Sequence, residues 1–75
     1  MEKQSILKNL IEEGFVTDLT LQDDCLYCVD TDSLYVLDSF ETIKEIKFKE
    51  NNIDMVVKAV YSSEFNLKGF YIQKQ

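Results

Sequence analysis

Three consecutive strand-like runs between Phe40 and Ile72 hold most of the material for a core, and the rest of the chain has to be built on them. In the first, the even positions Phe40, Thr42, Lys44, Ile46 and Phe48 form one face, with Glu41, Glu45, Lys47 and Lys49 on the other. That alternation predicts a half-buried strand. The second run, Ile53 to Tyr61, is rich in Val and nearly all apolar except Asp54 and Lys58, the pattern of a central strand buried on both faces. Leu67 to Ile72 supplies the third. Glu50-Asn51-Asn52 and Ser62 to Asn66 lie between the runs, polar and short enough for hairpin loops, so an antiparallel meander is the economical topology.

Upstream, Ile6, Leu7, Leu10 and Ile11 recur at the three-and-four spacing that lines one side of a helix. The helix is expected from about Glu2 to Glu13, stopping at Gly14, which can take the left-handed conformation of a C-terminal cap. Glu12 and Glu13 then sit at the unfavourable end of the helix dipole, for which the sequence gives no reason. Phe15, Thr17, Leu19 and Leu21 alternate with Val16, Asp18 and Thr20 and predict a strand. After Gln22-Asp23-Asp24 come two short apolar runs, Cys25 to Val29 and Leu34 to Leu37, separated by Asp30-Thr31-Asp32-Ser33, as in a hairpin.

With 75 residues, no Pro and only two Gly, the chain shows no linker and is expected to form a single domain over residues 1–75. At this size about 60% of the unfolded chain's surface can be buried, which leaves no room for a deep cleft. Apolar residues at 45% beside charged residues at 29% fit a soluble globular chain. No run approaches the roughly 18 apolar residues of a membrane helix. Met1-Glu2-Lys3-Gln4 lacks the basic start and apolar stretch of a signal peptide, and nothing at the C-terminus reads as a lipid anchor. A cytoplasmic protein without membrane association is the expectation.

The net charge of −6 hides an asymmetry. Glu12, Glu13, Asp18, Asp23, Asp24, Asp30, Asp32, Asp38 and Glu41 follow one another with no Lys or Arg between them, whereas the chain from Lys44 onward is mildly basic. Phosphate binding draws its affinity from clustered cations, and this chain has no Arg at all, so nucleic acid is not expected as a partner.

The helix ending in Gly14-Phe15, Thr17-Asp18-Leu19, the Cys25-Leu26-Tyr27-Cys28 run, Phe40-Glu41 leading to Ile46-Lys47-Phe48, and Ala59-Val60 before Lys68-Gly69 follow one another in a telling order. In this order the chain resembles a family of short, uncharacterised bacterial domains, some of which carry the label phosphoribosylpyrophosphate synthetase. The motifs span Leu7 to about Tyr71, each of them short and degenerate. After Phe48 the family tends to have an acid-glycine pair and an aspartate-proline turn, where this chain has Lys49-Glu50-Asn51-Asn52. The family's last strand usually ends in Ala-Tyr-Gly, here replaced by Gln73-Lys74-Gln75. The enzyme label fails on physical grounds. Phosphoryl transfer between a nucleotide and a sugar phosphate needs a glycine-rich turn or cations for phosphates and acids for Mg²⁺, and this chain has no such loop. No enzymatic activity and no cofactor are expected.

Cys25 and Cys28 have metal or redox spacing. One such pair without His cannot complete a tetrahedral zinc site, unless two chains share it or Asp23 and Asp24 contribute. Residues three apart on a continuous strand also point to opposite faces, so the sulfurs converge only if a turn intervenes. Asp30 and Asp32, with Asp23 and Asp24, are hard oxygen ligands, yet the Gly and distal Glu of a dedicated Ca²⁺ loop are missing. The bland reading, small apolar cysteines beside an Asp-rich turn, is preferred; metal-dependent or redox activity at Cys25, Cys28, Asp23, Asp24, Asp30 and Asp32 is the alternative. No His exists to serve as a base, and no serine shows an activating partner.

Tyr27, Tyr35, Tyr61, Phe65, Phe70 and Tyr71 are mostly cross-strand packing material. Phe65 in a polar loop, and Phe70 and Tyr71 side by side on the last strand, exceed what one helix on one sheet face can cover. They predict an exposed interaction surface. The sequence therefore predicts an α+β fold, one N-terminal helix packed on an antiparallel sheet of four to six strands. The function expected is that of a small non-catalytic protein-interaction or regulatory module, meeting a protein partner or a second copy of itself as a homodimer.

Overall fold

The computed structural model describes residues 2–75. Helix α1 spans Lys3–Glu12. It ends as the glycine foresees: Gly14 has φ +99°, its N–H donates to the Ile11 carbonyl at 3.0 Å, and the Phe15 N–H donates to the Leu10 carbonyl at 2.9 Å. This pair of reversed bonds satisfies carbonyls that a helix end otherwise leaves open, and it folds Phe15 back against Leu10. No helix among the described residues is long and apolar enough to cross a membrane.

Six strands follow: β1 (Thr17–Gln22), β2 (Cys25–Cys28), β3 (Ser33–Val36), β4 (Glu41–Glu50), β5 (Ile53–Ser62) and β6 (Leu67–Lys74), with a 3₁₀ turn at Leu37–Ser39 between β3 and β4. They form one sheet in the order β3-β2-β1-β6-β5-β4. The class is α+β, but the sheet is mixed and not an antiparallel meander throughout. β4, β5 and β6 make the expected meander, and β1 to β3 make another. The two halves join where β1 lies parallel to β6, through Thr17 opposite Gly69 and Asp18 opposite Phe70. The physical reason is an open edge. β5 has partners on both sides, so β6 offers its free side to whatever strand can approach. Gly69 makes the approach possible, since a Cβ there would stand 2.5 Å from the Thr17 carbonyl oxygen.

The turns draw their left-handed residues from Asn and Asp. Asn51 and Asn52 both have positive φ, 52° and 65°, between the paired residues Glu50 and Ile53, the twist that suits a two-residue hairpin. Asp23, Asp32 and Asn66 do the same in the other three hairpins, their short polar side chains tolerating a conformation that costs most residues more. The β2–β3 loop falls one residue earlier than its polar run suggests, because Ser33 already pairs with Cys28.

Two buried clusters lie on opposite faces of β5 and β6. The first joins Ile6 and Leu10 of α1 and Phe15 with Phe48, Val57, Ala59 and Phe70; Ile46, Met55 and Ile72 border it. The second joins Leu19, Leu26 and Cys28 with Val60 and Tyr71; Leu21, Tyr35, Leu37, Phe40 and Leu67 border it. Each fully buried Leu or Ile in such a cluster stabilises the fold by about 1.5–3 kcal/mol relative to exposure. Two faces read as continuous in the sequence are divided between these clusters. Phe15 belongs to the first, not with Leu19 and Leu21 in the second, because the helix closure turns it back before β1 begins. A register shift between Thr42 and Lys44 sets Thr42 opposite Val60 but Lys44 opposite Ala59. The extra residue, Ile43, therefore sends Phe40 and Thr42 to the second cluster's side and Lys44, Ile46 and Phe48 to the first.

Candidate functional site

β2 is a continuous strand, so Cys25 and Cys28 point to opposite faces. Cys28 is buried in the second cluster, opposite Leu19 and Ser33; Cys25 is half-buried on the outer face, opposite Gln22 and Val36. Both are free thiols. No turn intervenes to bring the sulfurs together. Asp23 and Asp24 form the two-residue β1–β2 turn, where the Asp24 carbonyl accepts from Leu37 N–H at 3.0 Å. Asp30 and Asp32 belong to the β2–β3 loop, and Asp32 accepts a hydrogen bond from the Tyr27 hydroxyl at 2.7 Å. That bond, followed by slight burial and the Cys28 thiol, raises the Tyr27 pKa above the usual tyrosine value. Among the described residues no three of His, Cys, Asp and Glu gather as a metal-holding group.

Three of the five serines are engaged in local bonding. The Ser33 hydroxyl donates to the Thr31 carbonyl, that of Ser39 to the Val36 carbonyl, and Ser62, fully buried, accepts from the Phe65 N–H. Each bond fixes a turn.

The three aromatics expected on an interaction surface divide. Phe70 is buried in the first cluster and Tyr71, 4% exposed, in the second. Tyr71, expected on the exposed surface, is instead a core residue: it is less exposed than the partly buried Ile46 and close to the fully buried Val57 and Leu10. A single helix covers only one face, but β1 to β3 turn across the other and bury Tyr71 against Leu19 and Leu26. Phe65 is 44% exposed in the β5–β6 loop, with its ring 4.9 Å from that of Tyr35. Tyr35 in turn meets the edge of Phe40 at 6.0 Å. This aromatic row ties β3 to the start of β4 and to the β5–β6 loop.

The end of α1 explains the acid left without a reason. Lys44 pairs with Glu13 at 2.7 Å, while Lys68 donates to the Glu13 carbonyl at 3.2 Å and lies 4.5 Å from the centre of the Phe15 ring. Two lysines from the sheet therefore offset the helix dipole and the Glu13 charge together. A shallow cavity of about 260 Å³ beside them is lined by Phe15, Ile43, Tyr61 and Lys68.

Other large apolar side chains are exposed singly, Val16 and Val29 among them, but on β3 two stand on one strand. Leu34 and Val36 are 62% and 59% exposed on the outer face, opposite Tyr27 and Cys25 of β2. β3 is also an edge of the sheet and carries no charged residue. The other edge, β4, carries Glu41, Lys44, Glu45, Lys47, Lys49 and Glu50. Charges of that kind guard an edge against pairing with other chains, and β3 lacks them. Sequence reasoning passed over this strand because Leu34 to Leu37 reads as a uniformly apolar run. The signal was available in its contrast with the charged alternation of β4.

Searches of protein-family models, curated proteins and solved structures return no match to the chain, so the family resemblance rests on its short motifs alone.

Proposed function

We propose that this chain is a small non-catalytic interaction or regulatory module that docks another polypeptide along β3. In this reading α1 packs on one face of β4 to β6 and serves the fold, β1 to β3 close the other face, and β3 is left for a partner. The observation that carries it is the uncharged sheet edge with Leu34 and Val36 exposed upon it. Large apolar side chains on an unpaired edge favour association unless something covers them. The engagement of Ser33, Ser39 and Ser62 in turns, and the divergence of Cys25 and Cys28, support a role without chemistry. The test is affinity capture with the wild type, with Leu34→Lys, and with Ile53→Lys as an exposed control outside β3. Partners lost only with Leu34→Lys support the docking role. Identical capture by all three proteins would overturn it.

A further inference from the structure

Resting on that reading, we infer that the polypeptide taken up by β3 is an extended, cationic segment that adds to the sheet as a seventh strand. The backbone geometry sets the mode. Leu37 N–H donates to the Asp24 carbonyl one step beyond the Cys25–Val36 pair, so the hydrogen-bonded pairs of the β2–β3 ladder are Leu26 with Tyr35 and Cys28 with Ser33. The alternation turns the peptide groups of Leu34 and Val36 away from β2. The Val36 carbonyl accepts from the Ser39 hydroxyl at 2.6 Å. Leu34 N–H, Leu34 C=O and Val36 N–H have no bond outside the ladder among the described residues. These three groups suit one short incoming strand, whose apolar side chains would lie beside Leu34 and Val36.

Charge selects the occupant. Asp30 and Asp32 lie in the loop before β3, Asp38 in the 3₁₀ turn after it, and Asp23 and Asp24 in the adjoining turn, all exposed. Between Lys8 and Lys44 the sequence has no cation. A second copy paired through β3 would bring two such acidic ends together, where like charges oppose association. A strand with an apolar centre and lysines or arginines on both sides of it meets the same ends with opposite charge.

The test uses the full chain and two acetylated, amidated peptides, Lys-Lys-Val-Thr-Val-Lys-Lys and its counterpart with Glu in place of each Lys, followed by amide chemical shifts. The lysine peptide is expected to bind, with shifts centred on Leu34 and Val36, and to lose at least about tenfold in affinity as salt screens the charges. The glutamate peptide is expected not to bind. Leu34→Pro removes the outward N–H without touching the β2 ladder and is expected to abolish binding; Leu34→Lys, which keeps the backbone, is expected to weaken it. Equal binding of both peptides, or shifts centred on β4, overturns the inference. If neither peptide binds but the wild type self-associates and Leu34→Lys does not, the cationic partner is wrong while docking along β3 stands. If neither peptide binds, the wild type stays monomeric and capture is unchanged by Leu34→Lys, both fail.

Discussion

β4 to β6 and β1 to β3 are two different kinds of half in one sheet. The first three strands in that comparison run 10, 10 and 8 residues, and β5 at their centre has a strand on either side and a buried cluster on each face. The others run 6, 4 and 4 residues and bury only their inner face. The longer half is held by its own pairing, and one of its buried clusters takes in Ile6 and Leu10 of α1. The shorter half is held by what it covers, and by a junction to β6 of two paired residues. A small domain can thus keep a stable support and a lightly held edge in the same sheet, and local opening is expected to concentrate in the edge.

The sharpest way to break the comparison is at the junction. Gly69→Ala places a methyl group against the Thr17 carbonyl, which is backbone and cannot rotate away, at an expected cost of about 3 kcal/mol. In a domain of this size that is a large share of the total stability. Urea melts measure the loss, and amide exchange should show protection falling in β1 to β3 before β4 to β6. A neutral substitution, or an even loss of protection, would mean that the halves are one unit.

A matched pair of truncations sharpens the contrast. Val57 is fully buried between strands and Val36 is exposed. Val57→Ala should cost about 2 kcal/mol and Val36→Ala less than about 0.5 kcal/mol in thermal melts. Similar costs at both positions would show that β3 is covered after all.

Smaller still is the tie between α1 and β4. The Lys44 and Glu13 side chains are each nearly half exposed, so solvent screening limits the pair to about 0.5 kcal/mol. A double-mutant cycle with Lys44→Ala and Glu13→Ala isolates it, and a coupling near zero would leave the Lys68 bond as the main support of the helix end.

The least effect belongs to the β2–β3 loop. The Tyr27 pKa is raised in the folded state, so its hydrogen bond to Asp32 contributes stability below the ordinary tyrosine pKa and loses it as pH rises through the folded value. Alkaline ultraviolet titration should show Tyr27 ionising above the usual value, and Asp32→Asn should shift it back down. No shift on that substitution would mean the bond is not formed in solution.

The local pattern of residues by itself determined the helix and its stop at Gly14, the three strands of the C-terminal meander, and the turns where Asn and Asp take the left-handed conformation. Each is written in neighbours within a few positions. It did not determine that β1 runs parallel beside β6, since periodicity says which face of a strand is apolar but not which edge it joins. Nor could it place Tyr71: side chains alternate along β6, but whether the second face is bare depends on β1 to β3 turning over it. The same holds for Ile43, where one extra residue in β4 exchanges the faces of Phe40 and Ile46. Only the tertiary structure decided these, because burial is settled by pairing between distant segments, and that pairing left β3 as the edge without charges.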